Sequence, residues 1–457
     1  QLYGIAGEAY MQVKDFTKAT EFFEKANEIS PNNATIHTAL AMSRLAVGEN
    51  DHAIKELELA TNLDADSSRP GVLLALTHLR LKEFDKALSA TATLIKSDPE
   101  NPLFYNLEGG VFIGMEETAK ARASFNKALS LQSDYFPAVS NLARLDLQDN
   151  KPSMAKQRFE AMLQDDPNNI QTMQVLANLA QTQGNIAEAT NWLELASSRN
   201  PDELEPALQL AIHYLRTEDQ EKSMALSRKL LGTYPNEPRV LEILGQNQLT
   251  IGNTAAALES YEKLASILPE SAPAQLQVAS VHVAMDNRSA AAAALRRALF
   301  IQPDFLEAQV AQVQLAVLDE NLKEAFAISK SIQTQHHKSP AGYVLEGDLL
   351  MQQEKHEPAA RAFEKAFSIT QNAMLLEKLH TAMSKAGEDK PAQALLTKWL
   401  VDHPDDTAVR LYAAGFYLSA QQYDTAIKEY LTVLQQHSGN IVALNNLAWA
   451  YQQKNDP

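Results

Sequence analysis

Small residues recur along this chain every 34 positions. Ala19, Ala53, Ala87, Ala121, Ala155 and Ala189 open the series, Ser223 takes the seventh place, and Ala257, Ala291, Ala325 and Ala359 follow. The next step, to Ala392, is 33, and Ala426 restores the spacing of 34. Twelve positions before each marker stands a second small residue, among them Gly7, Ala41, Gly109, Ala143, Gly245, Gly347 and Ala448, with Val313 and His380 as exceptions. Four positions after the marker a large apolar residue is common: Phe23, Leu57, Phe125, Phe159, Leu193, Tyr261, Leu295, Phe363, Leu396 and Tyr430. Seven positions after it comes alanine or a larger apolar residue. Offsets of four and seven share one face of a helix. The pattern therefore predicts two helices per unit, brought close by paired small residues, with every unit burying the same spot against its neighbour. Strand patterns are absent.

Helix ends follow the same ruler. A proline lies twelve positions after the marker in eight of thirteen units: Pro31, Pro99, Pro167, Pro201, Pro235, Pro269, Pro303 and Pro404. Each is predicted to stop the second helix of its unit. The turns Asn32-Asn33, Glu100-Asn101, Asn168-Asn169 and Asp405-Asp406 supply caps for the helix that follows. One unit, ending at Ala392, is a residue short and has His380 at its small position. A change of superhelical pitch is expected near residues 370–392.

On these residues the chain resembles the tetratricopeptide repeat family. Asn27 to Asn33 and Asn445 to Tyr451 look like the family's turn and first helix. The resemblance covers the whole chain, as thirteen units and the first helix of a fourteenth. It implies an all-α, right-handed superhelical solenoid of antiparallel helix pairs, with first helices on the concave face and second helices on the convex face. It also implies that the ligands are peptides, extended segments or protein domains.

Length alone would suggest several domains for 457 residues. The unbroken period predicts instead one continuous array over residues 1–457 with no internal boundary. Both ends look truncated: Gln1 already lies in a helix, and the last unit lacks its second. Apolar surface is therefore expected near Leu2 and Trp449, covered by self-association, and polar caps, a targeting signal or a lipid anchor are expected outside this stretch. The formal charge of −17 is spread over every unit. It argues against nucleic acid, which needs a basic stripe, and against adsorption to anionic lipid. Its simplest role is to keep a long surface soluble. There is no cysteine, so thiol chemistry and disulfides are excluded. No apolar run approaches the roughly 20 residues of a membrane span.

Catalytic and metal signals are weak, and neither a cofactor nor a metal site is expected. No HExxH, GxSxG or GxxxxGK[ST] pattern is present. Gly109-Gly110 with Gly114 falls inside a first helix at the packing position. His336-His337 reads as a solvated turn, and Asp165-Asp166 and Asp405-Asp406 read as caps beside helix-ending prolines.

The register places the concave residues at the second, fifth, sixth, ninth, twelfth and thirteenth positions of the first helices. Candidates for a partner-binding groove are Asn106, Asn141, Arg144, Gln174, Asn178, Gln181, Gln209, Arg239, Gln246, Gln277, Gln314 and Asn445. Amides dominate. An amide both donates and accepts, which suits an extended peptide backbone; it equally suits a soluble helix surface. Few aromatics fall here to stack on a sugar. In chaperone-binding members of the family a lysine at the fifth position holds a terminal carboxylate. None of the fifth positions, from Gly4 and Thr38 to Leu411 and Asn445, is lysine, so that clamp is absent.

The long acidic array without cysteine also resembles the large repeat lipoproteins associated with PEP-CTERM/exosortase systems. That resemblance implies a non-catalytic scaffold, periplasmic or attached to the outer membrane, that serves exopolysaccharide production and export or protein sorting. Two other readings stand beside it: a cytosolic peptide-binding adaptor, and the regulatory array of an enzyme whose catalytic domain lies outside this stretch.

Overall fold

The computed structural model describes residues 1–454; the last three positions of the expected array, 455–457, lie outside the described residues. Among the described residues there are 27 α-helices and no strand. They fall into two compact units, Gln1–Thr217 and Glu218–Pro457. The first holds α1 (Leu2–Gln12), α2 (Phe16–Ile29), α3 (Ala34–Val47), α4 (Asn50–Leu63), α5 (Ser68–Arg80), α6 (Phe84–Ser97), α7 (Pro102–Gly114), α8 (Thr118–Leu131), α9 (Phe136–Gln148), α10 (Pro152–Asp165), α11 (Ile170–Thr182), α12 (Ile186–Arg199) and α13 (Leu204–Arg216). The second holds α14 (Gln220–Thr233), α15 (Pro238–Thr250), α16 (Thr254–Ile267), α17 (Ala272–Ala284), α18 (Arg288–Ile301), α19 (Leu306–Leu318), α20 (Leu322–Gln335), α21 (Ala341–Gln352), α22 (His356–Ile369), α23 (Ala373–Lys385), α24 (Asp389–Asp402), α25 (Thr407–Ser419), α26 (Tyr423–Gln436) and α27 (Ile441–Lys454). Odd-numbered helices are the first helices of the repeats and even-numbered ones the second.

Within each unit a helix packs on the helix before and the helix after it. Alternate first helices also touch: α1 with α3 and α5 with α7 in the first unit, and α17 with α19, α19 with α21, α23 with α25 and α25 with α27 in the second. No pair of second helices comes as close among the described residues. First helices thus lie on the inner side of each unit's curve.

All thirteen marker residues, Ser223 included, are 0 % exposed. The small position twelve before the marker is buried for a matching reason. A Cβ placed on Gly7 would stand 2.6 Å from the ring of Phe23, on Gly109 2.4 Å from Phe125, on Gly245 2.7 Å from Tyr261, and on Gly347 2.5 Å from Phe363. Each ring belongs to the residue sixteen positions on. Where alanine takes the small position, leucine faces it in the clusters of Ala41 with Leu57 and Ala279 with Leu295. The trade of volumes is not strict, since Phe159 shares a cluster with Ala143 and Tyr430 with Ala414. Ala448 is exposed, because no second helix follows α27 among the described residues.

Turns follow an equally regular plan. Asn33, Asn101, Asn169 and Asp406 each accept a hydrogen bond from the first turn of the next helix. The eight prolines each sit two residues beyond the last residue of a second helix. A less obvious regularity lies between the two helices of each repeat, where one residue always has positive φ. Four are glycines (Gly48, Gly184, Gly252, Gly387), but nine carry side chains, among them Lys14, Lys82, Asn150 and Glu320. An L-residue there costs about 1 kcal/mol, which the packing on either side outweighs.

Polar side chains tie one repeat to the next. In four repeats the residue eighteen positions after the marker donates to the carbonyl of the proline that ends the preceding second helix. His37 bonds the Pro31 oxygen at 2.8 Å, Tyr105 that of Pro99 at 3.1 Å, Gln309 that of Pro303 at 3.0 Å, and Arg410 that of Pro404 at 3.0 Å. Ser223, the one marker that is not alanine, is matched by a fully buried Asn247, whose Nδ2 donates to the serine Oγ at 2.8 Å. Asp146, nearly fully buried on α9, binds Arg122 of α8 at 2.7 Å and Arg158 of α10 at 2.5 Å. Burial alone would raise its pKa, but the hydrogen bonds from Arg158 and Arg122 hold the carboxyl below the usual range.

In the short repeat the missing residue is taken from a turn, not from a helix. Three residues, 370–372, join α22 to α23, where four are usual, as at 30–33. Nearby, Trp399 occupies the place seven after the marker that is alanine in half a dozen repeats. Its indole Nε1 donates to Asp406 at 2.9 Å and its ring stacks on His403 at 4.0 Å. This bulk stands between α24 and α25, whose contact is the sparsest between successive helices within either unit. The expected apolar exposure is present around Leu2 and Ile5 on α1 and around Ile441, Val442 and Trp449 on α27.

Two outcomes are expected. Gly109→Ala gains about 1 kcal/mol of helix propensity but meets the Phe125 ring, an overpacking that costs about 1–3 kcal/mol. Net destabilisation in urea unfolding, relieved when Phe125→Leu is added, is the expected result. For Asp146 the folded pKa is depressed, so its contribution is present above the unfolded carboxylate value of about 3.9 and is lost as pH falls through the folded value. Asp146→Asn should cost about 1–3 kcal/mol at pH 7, since Arg158 loses its carboxylate partner while Arg122 keeps Asp149 at 3.0 Å, and should flatten the acid limb of a stability–pH curve.

Candidate partner-binding face

All twelve candidate residues lie on first helices, and none is buried. In the first unit Asn106 is on α7, Asn141 and Arg144 on α9, Gln174, Asn178 and Gln181 on α11, and Gln209 on α13. In the second, Arg239 and Gln246 are on α15, Gln277 on α17, Gln314 on α19 and Asn445 on α27. Asn106, Asn141, Gln174, Gln181, Gln209 and Gln277 are half-buried; the others are exposed.

Their hydrogen bonds divide them. Asn141 Nδ2 donates to Asn106 Oδ1 at 3.0 Å, across neighbouring first helices, and Arg144 Nη2 donates to Asn141 Oδ1 at 3.0 Å. This run uses the amide oxygens as acceptors and does not engage the Asn106 amide N–H groups or the other Arg144 donors. Gln181 is drawn into the packing instead. It bonds His213 Nδ1 at 3.1 Å, and the other ring nitrogen meets Thr190 Oγ1 at 2.8 Å. Burial, followed by the charge of Arg216, lowers the His213 pKa. Gln209 donates to Glu205 at 3.3 Å, Arg239 to Glu237 at 2.7 Å, and Asn445 to Asn446 at 3.4 Å. Further along, Lys378 pairs with Asp348 at 2.5 Å between α23 and α21. The face can thus offer hydrogen bonds and a few charges.

Two concavities fall at residues that sequence reasoning passed over. One, of about 460 Å³, opens between α1, α3 and α5, over Met11, Phe23, Ala39 and Met42, with Glu8, Thr38 and Arg69 at its edge. The other, of about 670 Å³, lies among α4, α5 and α6 and is rich in hydroxyls, including Thr61, Ser68, Ser89 and Thr93. Met11 and Met42, and the serines and threonines of α4 to α6, share no single repeat position, so the period gave no hint of either hollow. Both hollows depend on how three helices diverge, which a period does not report.

The candidates for chemistry resolve into structure. Gly109 and Gly114 make room for the rings of Phe125 and Phe84. His336 Nε2 bonds Gln309 Oε1 at 3.0 Å, while His337 is exposed. Asp166 accepts from the Asn168 backbone at 3.2 Å and Asp406 from Val409 at 3.0 Å, as caps do. Among the described residues no group of three or more His, Cys, Asp or Glu is placed to hold a metal ion, and no helix is long and apolar enough to cross a membrane.

Comparison with known proteins bears on the repeat itself. Models described as tetratricopeptide repeat match residues 10–71, 72–135 and 147–205. A CTR9 homolog of Arabidopsis thaliana is 21 % identical over 368 residues, covering 77 % of this chain and 34 % of that protein. Anaphase-promoting complex subunit 3 of Schizosaccharomyces pombe is 23 % identical over 244 residues, covering 52 % and 36 %. The chain spans about a third of the length of these relatives. The crystal structure of yeast Tom70 aligns over 99 % of this chain and 96 % of its own, at 12 % identity and a TM-score of 0.47. The matched stretches are similar to the tetratricopeptide repeat, and the same 34-residue ruler of buried small residues runs on to Ala426.

Proposed function

We propose that the chain is one continuous, non-catalytic scaffold that holds an extended segment of a partner protein against its first helices. The observation that carries this reading is the hydrogen-bonded run Arg144–Asn141–Asn106. It joins two neighbouring first helices through side chains that are half-buried (Asn106, Asn141) or exposed (Arg144). An extended backbone presents carbonyl acceptors at about 3.3 Å per residue, and preordered donors bind them with less loss of side-chain freedom. Amides at Gln174, Asn178, Gln246, Gln277 and Gln314 continue this chemistry on later first helices. The anaphase-promoting complex subunit among the relatives is by name part of an assembly, which supports a scaffold.

Within that reading we place the protein in a bacterial envelope system, periplasmic or at the outer membrane, that produces or exports exopolysaccharide or sorts proteins. The length of the acidic array and the absence of cysteine support this placement. Crosslinking of the tagged protein in its host, followed by mass spectrometry, tests both levels. Recovery of envelope secretion or sorting components is expected. Recovery of cytoplasmic proteins alone would remove the envelope placement and leave a cytosolic adaptor. Asn178→Ala in the first unit, or Gln246→Ala in the second, should cut recovery several-fold with the fold intact by circular dichroism; full recovery with both variants would count against this face.

A further inference from the structure

The short repeat carries a histidine where most other repeats carry glycine or alanine. His380 on α23 is fully buried. Its Nδ1 lies 2.8 Å from Tyr412 Oη on α25. Its ring meets Phe416 edge-on at 4.4 Å and Tyr412 at 5.4 Å. Its Nε2 has no hydrogen-bond partner. The Tyr412 hydroxyl also lies 2.9 Å from Thr381 Oγ1 and 3.4 Å from the Glu377 carbonyl. One tyrosine of α25 is thus held by three groups of α23, and this tie spans the place where α24 and α25 touch least.

A neutral imidazole satisfies Tyr412 with one nitrogen and leaves the other dry. An imidazolium has two N–H donors and a charge. In this pocket the second donor finds no acceptor and the charge no counter-ion. From α25 the titratable group facing His380 is Tyr412; buried Arg410 is engaged by Glu429 and the Pro404 carbonyl. On α23 itself the neighbours are Glu377 and Lys378, the latter turned to Asp348. The charged side chains of α24 (Asp389, Lys390, Lys398, Asp402) are exposed, as are those of α22 apart from half-buried His356.

We propose that the α23–α25 contact is an acid-opened joint: protonation of His380 releases Tyr412 and parts α25 from α23. Opening lets water reach Nε2, and the thin α24–α25 contact offers little resistance. Burial lowers the His380 pKa. The closed form therefore binds fewer protons than the open one, and its advantage shrinks as pH falls below the open-state value of about 6.5. Glu377 acts in the opposite sense. Burial, then Asp406, raises its pKa, so its protonation favours the closed form.

The test is hydrogen exchange with mass spectrometry on the full chain at pH 7.5 and 5.5, corrected for intrinsic rates. One pH unit below the open-state value corresponds to up to about a tenfold loss of protection. That loss is expected in residues 373–385 and 407–419 and not in 238–318. His380→Gln, which keeps a polar side chain but does not titrate, should abolish the pH dependence whatever its effect on absolute stability. Should His380→Gln fold poorly, Tyr412→Phe keeps the titrating ring without its tie, and the acid response should persist from a lower baseline. An acid response that survives in His380→Gln, that is lost in Tyr412→Phe, that spreads evenly over the second unit, or that is absent from the native chain overturns the proposal.

Discussion

Everything in this fold depends on how closely two helices approach at one spot. The thirteen marker residues are sealed from solvent, and at that distance there is room for little beyond a methyl group. Helix–helix contact then has to be completed a turn away, by rings and leucines that fill the volume the small residues vacate. Dispersion contacts are individually weak and collectively large, so this interlock, repeated thirteen times, supplies each unit with its core. No residue needs a distant partner, and stability sums over neighbours.

The architecture could be read from the chain because its controlling variable is side-chain volume, and volume is written in residue identity. Ala19 and its successors, the prolines from Pro31 to Pro404, and the caps at Asn33, Asn101, Asn169 and Asp406 all stand where spacing placed them. Less of the detail was legible. The left-handed residue in the turn inside each repeat escaped notice because nine of thirteen are not glycine; packing imposes that conformation on lysine, glutamate and glutamine alike. The ties from His37, Tyr105, Gln309 and Arg410 to prolyl carbonyls were hidden because four different side chains do one job. Trp399 and the three-residue turn before α23 show where the missing residue of the short repeat went, which a spacing of 33 could not.

The candidate partner-binding face was legible only as a list of positions. The helix register put all twelve candidates on first helices and at accessible sites, since that follows from the period alone. Which amides remain open to a ligand depends on rotamers and neighbours. Asn141 and Arg144 form a directed chain, whereas Gln181 is occupied by His213. The concavity over Met11 and Met42 depends on the divergence of three helices, a property of backbone geometry with no counterpart in a residue count.

The pairing of glycine with an aromatic ring, and of alanine with leucine, has a consequence for how such a chain can change. A first helix and its own second helix form a matched set. Where the set is glycine with a ring, as Gly109 with Phe125, a crossover in the loop between them would set that glycine against another repeat's leucine and leave a void. A crossover in the turn between repeats keeps each set together. Duplication, loss and exchange are therefore tolerated in whole units, counted from one first helix to the next, and the 34-residue ruler preserves the boundaries at which the chain can be cut and rejoined.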